Sequence, residues 1–312
     1  MTENPEEMNI LFSSDENYAQ HLGASIQSLL AHNTDVTKIN VYIIDNAISD
    51  MSKERLFHII AKYKNAEIRW ISFAGWREKL NLNMTWKISL SSYARLFVAG
   101  MLPDTVERVL YMDCDMIVCS SLKKLWQSDL SGQVIGAVQD YIGDVVKQAV
   151  NLKENERYFN AGLLLVDLCK WRAEHIEEKC LRFIADRNGA VVHHDQGVLN
   201  SVFRNKWVRL PLQNNLMTIH YLESFDHLMN RVKDHSSFYD REEIEEARKR
   251  PVVLHFTPSF TSRPWVKGCK HPLKNLYWEA VEETPWRGAK PIKDNAKWYM
   301  KLLNWRYRHL PF

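Results

Sequence analysis

Apolar positions along residues 8–71 switch repeatedly between two spacings. Short apolar runs at 8–12 and 39–44 have the length of buried strands, and 67–71 reads as a third strand. Between them, Leu22, Ile26, Leu29 and Leu30, and then Leu56, Ile59, Ile60 and Tyr63, fall on one face of a helix. The order strand, helix, strand, helix, strand predicts a largely parallel sheet with right-handed crossovers. Further on, residues 89–98 predict a buried helix closed by Gly100 and Pro103, and apolar strands are predicted at 109–112, 134–138, 158–168 and 252–256. A long helix is predicted at 169–187 and another opens at 193–200, whereas 221–250 is polar and irregular until a charged helix at 240–250. The fold class is α/β, with a Rossmann-like, mostly parallel central sheet and flanking helices.

Composition narrows this picture only slightly. The 312 residues, 46% of them hydrophobic, suffice for one large α/β domain. A net charge of +3 is too mild to argue for nucleic acid. Five cysteines without paired metal-type spacing predict a reduced, cytoplasmic chain rather than a disulfide framework. The acidic residues 1–7 do not read as a signal peptide, and no apolar run nears the ~20 residues of a membrane span.

The candidate chemistry sits at strand ends. The apolar run 109–112 stops in Asp113-Cys114-Asp115. In an extended chain the two carboxylates share one side and Cys114 faces away. Side by side they repel unless a cation lies between them, which predicts a metal clamp at the C-terminal edge of the sheet. Asp15, Asp45 and Asp140 also close predicted strands, so one edge of a parallel sheet becomes acidic, and that edge is where such folds bind ligands. No glycine-rich phosphate loop follows the first strand, so a nucleotide would be held by side chains and a metal. Asp15 and Asn17 suit a base or ribose, although both residue types also serve as helix caps. Arg95 is the odd cation in a buried helix: either it snorkels or it pairs with carboxylates or phosphates of the site. Asn160-Ala161-Gly162 opens a buried strand where glycine permits close approach. His193 and His194 are adjacent and point apart, so a structural role is expected for both. Asp195 and Gln196 open the next helix. The strand 252–256 ends in His255: a lone histidine there is ordinarily a packed core residue, but a strand that carried it to the carboxylate edge would supply a neutral imidazole ligand, with Arg263 then close enough to pair with a phosphate.

These segments together resemble glycosyltransferase family 8, the retaining hexosyltransferases that include bacterial lipopolysaccharide α-galactosyl- and α-glucosyltransferases and glycogenin. The resemblance runs from about residue 9 to about residue 265. It rests on Phe12-Ser13-Ser14-Asp15-Glu16-Asn17-Tyr18, Ser92-Tyr93-Ala94-Arg95-Leu96, Leu110-Tyr111-Met112-Asp113-Cys114-Asp115, Phe159-Asn160-Ala161-Gly162, Asp195-Gln196-Gly197-Val198-Leu199-Asn200, and His255-Phe256 with Arg263-Pro264-Trp265. It implies a GT-A type fold, a UDP-hexose donor and Mn²⁺, with Mg²⁺ as the lesser alternative. It also implies Asp113, Asp115 and His255 as metal ligands, Asp15, Asn17 and Asp113 at the uridine, and Arg95, Asp140, Asn160, Asp195 and Gln196 at the donor sugar. Two features depart from the family pattern. Pro258 stands where the family usually has glycine, and Arg263 stands for lysine after a loop longer by two residues.

The resemblance implies transfer with retention, of glucose or galactose, to a saccharide or lipid-linked glycan. Asp195 is the only nucleophile candidate, and front-face attack is the favoured course. A glycogenin-like self-glucosylating primer and a non-catalytic nucleotide-sugar-binding protein are the alternatives. The expected organisation is a transferase domain at 8–285 and a basic aromatic tail at 286–312. The tail carries Lys293, Lys297, Lys301, Arg306 and Arg308 among Trp298, Tyr299, Trp305 and Tyr307. Such a mixture suits either the inner face of a membrane or a helix packed on the body.

Overall fold

The structure is a computed structural model that describes residues 7–80, 82, 90–231, 238–258 and 261–293. Ten strands form among the described residues, those built on the apolar runs buried on both faces and the edge strand Ala66–Ser72 with no buried residue. They are β1 (Glu7–Ser14), β2 (Lys38–Asp45), β3 (Ala66–Ser72), β4 (Arg108–Met112), β5 (Met116–Val118), β6 (Ile135–Gln139), β7 (Phe159–Asp167), β8 (Val208–Arg209), β9 (Leu216–Met217) and β10 (Val253–His255). Seven of them form one sheet in the order β3-β2-β1-β4-β7-β6-β8. Its left half, β3 to β4, is parallel, while β7 runs antiparallel to both neighbours.

Alternate residues feed two cores. Ile10, Phe12, Val41, Ile43, Leu110 and Met112 pack on one face under α1 (Ala19–Ala31) and α2 (Asp50–Ile60). Leu11, Tyr42, Ile44, Val109 and Tyr111 pack on the other. This is the strand period of two read off side by side, and with both faces covered there is no polar face left to alternate with.

The chain order reverses between β1 and β4, and the crevice at such a switch point opens at the C-terminal strand edge. Asp15 and Asp113 follow β1 and β4 there, and Asp140 follows β6. Because β7 runs the other way, it brings its first residues, Phe159 to Gly162, to the same edge; the Asp113 amide donates to the Gly162 carbonyl at 2.8 Å. A second sheet, β5-β10-β9, closes this edge. In it His255 pairs with Met116, and the Phe256 amide donates to the Asp115 carbonyl at 3.0 Å. Backbone register thus carries His255 to Asp115 across 140 positions of sequence without any local signal (255 − 115).

Several elements differ from the sequence expectation. Residues Leu90–Phe97 wind as a 3₁₀ helix and the turn continues as Val98–Met101, with Tyr93, Ala94, Leu96 and Phe97 in the core. The helix expected at 169–187 is broken into Leu168–Ala173 and Ile176–Ala185, with His175 in a left-handed conformation (φ 52°) between them. The stretch expected to be irregular contains the helix Phe225–Arg231, whereas the charged helix expected at 240–250 is present as Arg241–Lys249, opened by an Asp240/Glu243 capping box. The tail's first residues stay on the body. Ile292 exchanges backbone hydrogen bonds with Trp265 and Lys267, and the Trp286 ring covers Gly23, where a Cβ would come within 2.6 Å of it. The basic aromatic run from 294 lies outside the described residues, as do residues 259 and 260 of the loop before Arg263.

Candidate active site

A cleft of about 420 Å³ opens at the switch point. Ser13, Ser14, Asp15 and Tyr18 form one wall and Ser91, Ser92 and Arg95 the other, with Asp113, Asp115 and Arg263 at the base. The walls are tied together: the Ser13 hydroxyl donates to the Ser91 carbonyl at 2.7 Å, and the Asn46 amide donates to the Ser91 hydroxyl at 2.9 Å. Asp15 lines the cleft while its carboxylate also accepts from the Asn17 backbone N–H at 3.0 Å. Asn17 itself is exposed and outside the lining. Asp45, the fourth acidic strand end, is spent on Lys53 at 2.6 Å and the Ile48 amide at 2.7 Å, so it is structural.

Asp113 and Asp115 divide their oxygens between two kinds of partner. Asp113 Oδ1 accepts from Arg95 at 2.7 Å and from the Tyr111 hydroxyl at 3.1 Å. Asp115 Oδ2 accepts from Arg263 Nε and Nη2 at 3.0 and 2.9 Å, and its Oδ1 lies 3.1 Å from His255 Nε2. One oxygen of each carboxylate therefore faces an arginine. Burial raises the Asp113 carboxyl above its ordinary range despite Arg95. Burial pushes Asp115 the same way, but His255 and Arg263 outweigh it and hold that carboxyl low. The Cys114 thiol points elsewhere, to the Ser13 carbonyl at 3.3 Å.

Donor atoms of Asp113, Asp115 and His255 all lie within 4.8 Å of one another. Two carboxylates and an imidazole are hard-to-intermediate donors suited to Mn²⁺ or Mg²⁺. Space for an ion is preserved by Gly162. A Cβ there would sit 2.5 Å from His255 Cε1, 2.8 Å from Asp113 Oδ2 and 2.9 Å from Asn160 Oδ1. The residues present thus fit a divalent cation.

Arg95 links this cluster to a second one. Its side chain is only 5% exposed; Nε meets Asp195 Oδ2 at 2.9 Å, another guanidinium nitrogen donates to the Ala161 carbonyl, and the group lies 4.4 Å over the Tyr111 ring. Burial would lower its pKa, but Asp113 and Asp195 raise it further, so it stays charged. Asp195 is buried behind it. Gln196 is held at both ends, accepting from the Ala161 amide at 3.0 Å and donating to Asp140 Oδ2 at 2.9 Å. Asn160 donates to the same Asp140 oxygen at 3.2 Å. The structure therefore brings Arg95, Asp113, Asp140, Asn160, Asp195 and Gln196 into one connected group, of which only Arg95 and Asp113 line the cleft. His193 and His194 form the left-handed turn ahead of Asp195 (φ 59° and 54°), and His193 Nδ1 meets the Tyr158 hydroxyl at 2.7 Å, which is the structural role expected. Tyr111 and Asn215 were not singled out by the sequence. Tyr111 had a signal, since it shares a side with Asp113 two residues on.

The profile of glycosyl transferase family 8 matches residues 9–269 of this chain. The chain belongs to glycosyl transferase family 8. It is a glycosyltransferase, with the GT-A type α/β fold. The chain is 28% identical to lipopolysaccharide 1,2-glucosyltransferase of Escherichia coli strain K12 over 308 residues, covering 97% of this chain and 85% of that one. It is 28% identical to general stress protein A of Bacillus subtilis strain 168 over 288 residues, covering 89% and 94%. Among solved structures it superposes on the galactosyltransferase LgtC, solved with donor and acceptor sugar analogues. The TM-score is 0.71 and the identity 27%, over 89% of this chain and 96% of that one.

Proposed function

We propose that this family 8 member is a retaining hexosyltransferase. It moves glucose or galactose from a UDP-sugar to a saccharide or lipid-linked acceptor of lipopolysaccharide or another cell-surface glycan, and depends on Mn²⁺. The observation that carries the reading is the convergence of Asp113, Asp115 and His255 below a cleft whose far wall holds Asp15. Asp15, with Asn17 beside it, is assigned to the uridine. Asp113, Asp115 and His255 would hold the ion, which supplies charge neutralisation at the diphosphate as the leaving group departs.

Arg263 is assigned to the diphosphate as well. Its guanidinium rests on Asp115 and can turn from that carboxylate to the phosphate oxygens, where a bidentate fork suits an oxyanion. Asp195 is tied to Arg95 at 2.9 Å, which favours charge stabilisation over covalent attack. Gln196, fixed at both ends by Ala161 and Asp140, and Asn160 on the same Asp140 oxygen are assigned to the sugar side, where they stand behind the cleft as a rigid support. Front-face attack follows. The acceptor oxygen bonds to the anomeric carbon, the bond from that carbon to the β-phosphate oxygen breaks, and the acceptor's proton goes to that leaving oxygen. Asp195 and Gln196 position the sugar and stabilise the oxocarbenium-like state between, Asp195 by its negative charge, while Arg95 holds that carboxylate in place.

The test is UDP release from UDP-glucose, UDP-galactose and UDP-N-acetylglucosamine after EDTA treatment, with and without added Mn²⁺. Turnover is expected with one of the first two donors, lost in EDTA and restored by Mn²⁺. Full turnover in EDTA would remove the metal from the reading.

Among the described residues no helix is long and apolar enough to cross a membrane. The tail from 294 is assigned to peripheral contact with the inner face of a membrane, on the strength of its interleaved basic and aromatic residues. Flotation with anionic liposomes is expected to carry the full chain and to leave behind a chain ended at residue 293. Equal flotation of both would sink the assignment.

A further inference from the structure

Behind the cleft lies a chain of amide side chains that runs in one direction. At its start Asp140 Oδ2, a carboxylate oxygen, can only accept. Asn160 must therefore turn its Nδ2 toward it, at 3.2 Å. That leaves Asn160 Oδ1 at the other end, where it accepts from the Gly162 amide at 3.0 Å and from Asn215 Nδ2 at 2.9 Å. Asn215 is fully buried, so it has no water to relax its orientation. With its Nδ2 committed, its Oδ1 is the atom that faces His255 Nδ1, at 3.0 Å. A carbonyl oxygen cannot donate, so His255 Nδ1 carries the hydrogen, and Nε2 is the nitrogen turned toward Asp115 at 3.1 Å.

We infer that Asn215 is a positioning residue for the metal centre: through Asn160 it takes its orientation from Asp140 and fixes His255 as the Nδ1–H tautomer, with the Nε2 lone pair available to a cation. The inference rests on the metal reading of Asp113, Asp115 and His255 above. Its chemistry is that of a hydrogen-bond acceptor behind a metal-bound imidazole, which orients the ring and raises its basicity. Asn215 comes from the segment just before β9, and the pairing of Leu254 with Leu216 and of His255 with Met217 sets it beside the histidine. The sugar-side group of Asp140, Asn160 and Gln196 is thereby joined to the ion's ligands by side chains alone, with a polarity that cannot reverse while Asp140 is a carboxylate.

The test is Mn²⁺ binding to the purified full chain, followed by electron paramagnetic resonance of the free ion, with thermal unfolding measured in EDTA as the control. Asn215→Leu keeps the branching of the side chain, in a larger volume, and removes the acceptor. It is expected to weaken Mn²⁺ binding by roughly ten- to a hundredfold. Asn215→Asp keeps the acceptor toward His255 Nδ1 and loses only the donor to Asn160 Oδ1, so it is expected to weaken Mn²⁺ binding by less than about tenfold, clearly less than the leucine variant does, a difference that general loosening of the core would not produce. Asn215→Ala carries the loss arm where the leucine chain does not fold. Wild-type affinity in a folded leucine or alanine variant overturns the inference. So does an equal loss in the aspartate and leucine variants. A wild-type chain that binds no Mn²⁺ overturns the metal reading itself and this inference with it, an outcome distinct from the other two.

Discussion

Gly162→Ala is expected to lower transfer by at least about a hundredfold while the chain stays folded. One methyl group is enough because of where it would stand. It would lie closer than van der Waals contact to His255, Asp113 and Asn160, the nearest being His255 Cε1 at 2.5 Å. The backbone does not object, since Gly162 lies inside β7 and is not among the glycines with positive φ. The three side chains must therefore give way, and two of them are ligands of the proposed ion. Displacements approaching an ångström at such groups cost on the order of a hundredfold in rate. UDP release measured beside thermal unfolding checks this. A folded Gly162→Ala enzyme with near wild-type turnover would mean that the space behind the strand is not used.

The largest effect on stability is expected at Arg95. Its guanidinium compensates Asp113 and Asp195 at once, and the side chain is 5% exposed. Removing one partner of a buried ion pair leaves an uncompensated charge, at a cost of about 3–5 kcal/mol. Arg95→Met keeps much of the stem and removes the fork, so denaturant unfolding should show a loss of that order. Arg95→Lys keeps the charge but presents a single ammonium, which cannot meet Asp113, Asp195 and the Ala161 carbonyl together, so only partial recovery is expected. A midpoint for Arg95→Met equal to the wild type's would show that the two carboxylates shed their charge without it.

These two residues also mark what a sequence can and cannot disclose. The carboxylate pair was legible because an apolar run at strand spacing ends in it; its geometry was not, since β4 stops at Met112 and Cys114 and Asp115 lie in the turn to β5, so the convergence of the two carboxylates is set by that turn and not by an extended strand. The parallel half of the sheet was legible for a similar reason, since strand and helix spacings alternate without interruption from β1 to β3. His255 was visible as a polar stop to an apolar run, but only the resemblance linked it to the carboxylates. Its actual position depends on the register of β10 against β5 and β9, which is set by packing across the whole chain. Asn215 had no signal for the same reason. The reversal of β7 was also hidden: a buried strand reads the same in either direction, and yet that reversal is what places Asn160 and Gly162 at the carboxylate edge. Asp15, Asp45, Asp113 and Asp140 looked alike as acidic strand ends. Only a neighbour's side chain, Lys53, separates the structural one from the rest.

The stitch between Ile292 and the Trp265–Lys267 segment bears on where this protein can be shortened. Trp265 stacks on His21 of α1 with ring centroids 3.7 Å apart and sits two residues after Arg263. A chain trimmed ahead of Ile292 would strand the Lys267 amide and the Trp265 carbonyl, and one trimmed ahead of Trp286 would also uncover Gly23. Either cut would loosen the footing of the arginine as well as removing a tail. A loss of activity in such a chain would then say nothing about membranes. Among the described residues Ile292 makes the last of these ties, so a cut meant to probe the tail by itself must lie past it.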